Sequence, residues 1–513
     1  MKKRFIAMVL AFVMVLALGA CTSETPANDP GTETPEATGG MVEGGEITVG
    51  LYNDLDASLD PHMSSSSAGT REILFNIFEG LVKPNSDGEL VPAIAESYSV
   101  NDSADQYTFK LRQGVKFHNG KDVTADDVVW SLSRAAGLET GEPLVGDVAN
   151  IAAVTKTDDT TIVIDLKKPD TEFLAHITTA IIPEGIDPLT EVVGTGPFKY
   201  VSRVIQSEIV LEKFDEYWGE PAHLDKVTLK IIENPETLVM SLRSGAVDMA
   251  VRLNANQIKT LTNLKVLEGS SNIVQAIYLN NAVKPFDDVR VRQALCYALD
   301  KHEIIDLSSD GYGSPVGSSM FPAFGKYFMP ELTDYYTKDL DKARELLTEA
   351  GYPDGFEFTI TVPSTMQTHV DVAQTIVELL RPIGVTAKVD QVEWATWYSD
   401  AYQNRQFEAT VIGMDAHGVA ASDMLARFQS TNAKNFINFN SPEYDATYTA
   451  AISTTDDAEQ TRLFKECETI LAEEAANVYI QDGASFTAMS TNLEGMEFYP
   501  LYVLDLSTIY RTE

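Results

Sequence analysis

VTLKIIENPETLVMSLRSGAVDMAV, residues 227–251, contains the change of hydrophobic period that decides the fold class. Val227, Leu229 and Ile231 alternate, as on a strand with one face turned to a core. Asn234 offers a side-chain cap, and Pro235 fills a first helical position that needs no N–H. Leu238 and Leu242 share one helical face, and Gly245 can close the helix in the left-handed region. Val247 to Val251 then returns to a strand. Strand, helix, strand is the crossover that parallel neighbours require.

A second such unit lies further along. Phe356, Phe358, Ile360 and Val362 alternate, and Val372, Ile376, Leu379 and Leu380 follow at helical spacing. Pro382 and Gly384 end the helix, and Val385, Ala387 and Val389 alternate again. Just upstream, Leu340, Ala343, Leu346, Leu347 and Ala350 line a helix stopped by Gly351. Two separate units, in a chain too long for one hydrophobic core, predict two α/β lobes with helices on both sheet faces. Ligands on such sheets bind at the carboxyl ends of strands, so the expected site is a cleft between the lobes.

The amino-terminal residues predict where the chain works. Lys2, Lys3 and Arg4 precede an apolar run from Phe5 to Leu18, the pattern of an export signal and too short for a comfortable membrane span. Leu18-Gly19-Ala20-Cys21 resembles a bacterial lipobox, which makes Cys21 the expected lipidation site. Thr22 to Gly45, rich in Thr, Glu, Pro and Gly, reads as a tether. A flexible tether of that length spans about 25–30 Å. Removing residues 1–20 takes the basic residues from 38 to 35 against 76 acidic ones, so the net charge goes from −38 to −41. Nucleic acid and anionic lipid headgroups are repelled by such a surface. Cys296 and Cys467 remain, which is no disulfide framework.

Catalytic patterns are absent or incomplete. His302-Glu303 begins like a zinc-protease motif, but Asp306 stands where the second histidine belongs, so the pair reads as an exposed helix end. Gly311, Gly313 and Gly317 fit neither a dinucleotide nor a phosphate loop and read as a flexible turn. The seven histidines are scattered singly. The reading is therefore a binding protein, not an enzyme, with no cofactor and no metal ligands expected.

Residues 107–132, YTFKLRQGVKFHNGKDVTADDVVWSL, closely resemble the signature of the bacterial extracellular solute-binding proteins of family 5. Within it, Tyr107, Phe109 and Leu111 alternate, Asn119-Gly120 makes a turn, and Thr124 with Asp127 forms a capping box. The other resembling segments are LVPAIAESYSV from Leu90, GTGPFKY from Gly194, EYWGEPAHLDKVTLKI from Glu216, PFDDVRVRQALCYALDKHEII from Pro285, DLDKARELLTEAGY from Asp339 and VEWATW from Val392. Asp287 and Asp288 can cap a helix from Val289, and Arg290 and Arg292 read as solvated. The resemblance implies a two-lobed periplasmic-binding-protein-like α/β fold with a hinge. Its first lobe would be residues 46–270 plus 484–513, with an inserted subdomain at about 90–185, and its second lobe 271–483.

It also implies the function: a monomeric receptor that captures short peptides or related solutes and delivers them to the permease and ATPase subunits of an ABC importer. The receptor would sit outside the cytoplasm, lipid-anchored to the cell membrane, and in the periplasmic space where an outer membrane exists. A signalling receptor, or a binder of nickel or opine chelates, remains open on the same scaffold. Residues 407–425, FEATVIGMDAHGVAASDML, depart from the peptide-binding pattern. Met414 stands at the family's tryptophan, His417 at its ammonium-binding aspartate and Val411 at its arginine, while Asp415 is a possible substitute. No arginine occurs at Gly137 to Thr140 or Ala180 to Ile182, where chelate binders carry theirs. The expected ligand contacts are Tyr52 and Asn53 on the first lobe and Trp394, Met414, Asp415 and His417 on the second.

Overall fold

The computed structural model describes residues 40–63, 68–416, 418 and 420–513; Cys21 and His417 lie outside the described residues. Among the described residues, twelve strands join in one mixed sheet. Its main path runs Thr386–Val392, Glu357–Pro363, Ala409–Asp415, Ile273–Leu279, Asn477–Met489, Met249–Leu253, Glu46–Leu51, Lys226–Ile231, Glu208–Lys213 and Phe198–Val204. Lys265–Ser270 and Gly313–Pro315 pair with Asn477–Met489 beside that path.

Both crossover units are present. Glu357–Pro363 and Thr386–Val392 are parallel neighbours, joined by helix Gln367–Leu380, whose Val370, Val372, Ala373, Ile376 and Leu380 are buried. In the other unit, Lys226–Ile231 and Met249–Leu253 are both parallel to Glu46–Leu51, which lies between them. Asn234 caps helix Pro235–Ser244 through Thr237 N at 2.9 Å, and Gly245 closes it at φ +74°. Each fully buried aliphatic side chain under these helices contributes about 1.5–3 kcal/mol.

The inserted subdomain is a four-stranded antiparallel sheet, ordered Ala95–Val100, Gln106–Leu111, Thr161–Leu166 and Ile151–Asp158. Helix Ala125–Ala135 packs Val128 and Leu132 into the subdomain's core, and the Thr124–Asp127 capping box forms as expected.

Asn477–Met489 is the strand on which the lobes are joined. Its first half pairs with Ile273–Leu279 and its second half with Lys265–Ser270 and Met249–Leu253. Ser271-Asn272 separates the two partner strands, and Asp482-Gly483 the two halves of the shared strand. Asp482 is buried there and accepts hydrogen bonds from Ser270 Oγ and from Ile273 N at 3.1 Å. Burial pushes its carboxyl up to about 6.

Three details differ from expectation. Met41–Val42, within the expected tether, pairs with Tyr510–Thr512, so regular structure begins before residue 46. Gly313 is part of a strand rather than a flexible turn, and a Cβ there would lie 2.1 Å from Gln481 Oε1. Arg292 is not solvated: it is buried and donates to the carbonyls of Ala475, Phe286 and Glu474, where the end of helix Asp457–Glu473 leaves acceptors. Arg290 stays partly exposed against Asp288, the cap of helix Val289–Ala298.

Candidate functional site

A cavity of about 200 Å³ opens between the lobes. Helix Ala68–Leu74 follows the first strand and carries Arg71 to its wall, with Phe75 just beyond the helix end. Leu501, Tyr502 and Val503 come from the carboxyl-terminal segment, and His176 and Thr179 from the inserted subdomain. The second lobe supplies Ala416 and Gly418, just past the end of strand Ala409–Asp415. That is the carboxyl end of a sheet strand, where a ligand is expected.

One ion pair joins the cavity wall to the second lobe. Arg71 Nη2 lies 3.6 Å from Asp415 Oδ2, with both side chains partly exposed. The Asp415 backbone carbonyl accepts from Arg427 Nη2 at 3.3 Å, which holds the strand end. Nearby, the inserted subdomain clasps the second lobe. Glu172 accepts from Ala421 N at 2.8 Å and Ser422 N at 3.1 Å, satisfying donors at the start of helix Ala421–Ala426. Gln460 Nε2 donates to Thr171 Oγ1 at 2.6 Å, and His176 Nδ1 is 3.9 Å from Asp423. Burial raises the Glu172 carboxyl above its ordinary value, against the pull of those hydrogen bonds.

The expected contacts separate. Asp415 does not line the cavity but pairs with Arg71, which does. His417 lies outside the described residues, although Ala416 and Gly418 on either side of it line the cavity. Met414 points the other way, into a core with Val274, Tyr278, Met424 and Phe428, because strand residues alternate faces. Trp394 is 43% exposed and stacks on Trp397 with ring centroids 5.2 Å apart, and it does not line the cavity. Tyr52 packs against the apolar cluster of Leu238, Leu242 and Phe486, its hydroxyl accepting from Gln257, and Asn53 is exposed. Arg71, Phe75, His176 and Tyr502 were not anticipated. Only tertiary folding brings these four positions together.

His369 is a buried histidine paired within the protein. Its Nδ1 is 2.6 Å from Gln275 Nε2, and burial lowers it to about 4, so it is neutral. Among the described residues no group of three or more His, Cys, Asp or Glu side chains could hold a metal ion. Nor is any helix among them long and apolar enough to cross a membrane.

Residues 89–436 match the family described as Bacterial extracellular solute-binding proteins, family 5 Middle. Heme-binding protein A of Haemophilus influenzae is 28% identical over 525 residues, covering 94% of each chain. The glutathione-binding protein GsiB of Salmonella paratyphi A is 30% identical over 468 residues, covering 86% of this chain and 90% of the relative. The periplasmic binding protein DppA of Helicobacter pylori, solved with the peptide STSA, superposes with a TM-score of 0.77 at 25% identity, over 92% of this chain and 99% of that one. The family match and these relatives make the chain a solute-binding protein of the ABC-importer class, which works outside the cytoplasm and is not an enzyme. Within that class, the chain belongs to the bacterial extracellular solute-binding proteins of family 5.

Proposed function

We propose that the protein captures short peptides, or related zwitterionic solutes derived from amino acids, in the interlobe cavity. The observation that supports this is the Arg71–Asp415 pair, which sets opposite charges on the two lobes, Arg71 in the cavity wall and Asp415 next to the lining residue Ala416. A zwitterion can replace that pair, its ammonium on Asp415 and its carboxylate on Arg71, and so tie the lobes together. His417, between two cavity-lining residues, is read as a second polar contact. The volume of about 200 Å³ lies below the roughly 300–1,000 Å³ of drug-sized pockets and suits a small solute.

In calorimetric titrations, Ala-Ala is expected to bind, whereas its N-acetylated and C-amidated forms lose about tenfold or more. Asp415→Asn should remove the discrimination against N-acetylation, and His417→Ala should weaken Ala-Ala between pH 5 and 8 without lowering thermal stability. Equal binding of all three compounds, or of none, sinks the peptide reading. A domain scheme goes with it: lobes of 46–270 plus 484–513 and of 271–483, and a tether from a lipidated Cys21. Cys21→Ser in the native host is expected to release the protein from the membrane; retention with unchanged processing would refute the anchor.

A further inference from the structure

A second cavity, of about 240 Å³, shares the wall Leu501, Tyr502 and Val503 with the first. It is rich in hydroxyl and amide groups, with Asn254, Ser271, Ser485 and Thr487 on the first-lobe and hinge side, while Thr368 reaches it from the second lobe. Among the described lining residues, Arg252 is its cation and Glu72 its anion.

Arg252 is aimed by an irregularity in the sheet. Strand Met249–Leu253 pairs Ala250 with Ala488, and then, after a shift of register, Leu253 with Phe486. Arg252 lies within the shift at φ +61°, a left-handed conformation uncommon for a residue with a β-carbon. Such bulges turn a side chain out of the alternation, and backbone strain of this kind concentrates at ligand sites. The guanidinium carbon sits 4.2 Å from the centre of the Tyr502 ring, and Nη2 is 2.8 Å from the buried Glu72 Oε2. Arg71 and Glu72 are consecutive, yet Arg71 serves the first cavity and Glu72 orients the arginine of the second. Structural need does not explain the pair, since an apolar residue at 72 beside a regular strand would pack without desolvating two charges.

We propose that this chamber is a second ligand subsite, in which Arg252 receives a carboxylate carried on the side chain of the bound solute. The proposal rests on the peptide reading above and narrows it to solutes with an acidic group beyond their main-chain carboxylate. The guanidinium is a planar fork matched to a carboxylate, already fixed by Glu72 and the Tyr502 ring, so little freedom is lost on binding. Glu72 is a positioning residue. Thr368, from the opposite lobe, closes the chamber when the lobes are together.

The test titrates Ala-Glu, Ala-Gln and Ala-Leu into the mature protein and into Arg252→Gln and Arg252→Lys. The wild type is expected to prefer Ala-Glu over Ala-Gln by about tenfold or more, and Arg252→Gln to abolish that preference while changing Ala-Leu by less than about twofold. Equal affinities in the wild type, or a preference that survives Arg252→Gln, overturn the subsite. Should Arg252→Gln fail to fold, Arg252→Lys is read instead, and a preference reduced by less than about threefold counts against the proposal. If none of the three peptides binds, the peptide reading falls, and glutarate decides the chamber separately. At millimolar concentration it should raise the melting temperature of the wild type but not of the folded Arg252 variant; no shift, or the same shift in both, overturns the proposal.

Discussion

Where the chain crosses between lobes, contact is made by Ser270, Asp482 and Ile273; at the cavity rim it is made by Glu172 and Thr171 against Ala421, Ser422 and Gln460. Both places center on a carboxylate, buried at Asp482 and partly buried at Glu172, that accepts backbone N–H groups. They differ in what holds the partners near each other. At the crossing, the partners belong to adjacent strands of one sheet, so their hydrogen bonds do not depend on the angle between lobes. At the rim, Glu172 and Ala421 are 249 positions apart and meet only while the lobes are together. The first group therefore sets stability, and the second sets how much of the population is closed.

Three experiments break or sharpen that contrast. The largest effect is expected from pH at the crossing. Burial holds Asp482 near 6, above its unfolded value, so the folded state takes up its proton more readily. Its contribution to stability is then fully present below about pH 4 and is lost as pH rises through about 6, a change of about 3 kcal/mol. Asp482→Asn should lack this component, read as the difference from wild type in urea unfolding at pH 3 and pH 8. Parallel pH profiles of the two proteins would show that Asp482 does not titrate in this range.

Next in size is Asp482→Ala, which leaves Ser270 and the Ile273 N–H without their acceptor and should cost about 1–3 kcal/mol at the lower pH and less at pH 8, because it too lacks the titrating carboxyl. A variant as stable as the wild type would mean that the crossing is held elsewhere. The smallest effect is expected from Glu172→Gln, which keeps one acceptor and loses the charge. Unfolding should hardly change, while a bound solute dissociates about fivefold faster and small-angle scattering shows a larger radius of gyration. Identical release rates and scattering curves would remove the rim from any role in closure.

The same contrast marks what the sequence made legible. The strand–helix–strand units could be read because their signals are local: Asn234, Pro235 and Gly245 punctuate one helix, and apolar spacing assigns its neighbours. Even so, the insertion of Glu46–Leu51 between the two strands of that unit is set by residues about 180 positions away. The site was less legible. Asp415 was expected as a substitute two positions from the family's aspartate position, and Trp394 and Met414 as an apolar wall and an adaptable surface, but packing places the last two otherwise: one stacks on Trp397, the other faces the core. Arg252 and Glu172 carry no signal in the sequence. A bulge and a helix start in the other lobe give them their positions, and neither leaves a periodic trace in sequence.

The strand Asn477–Met489 has a consequence for how the chain is made. Both lobes need it to complete their sheets, and the Asn76 side chain waits for Leu504 and Leu506, 428 and 430 residues later. Until the last tenth of the polypeptide has been synthesised, neither lobe can close its sheet, and pairings this distant form slowly. The piece of chain that arrives last is the one both lobes share.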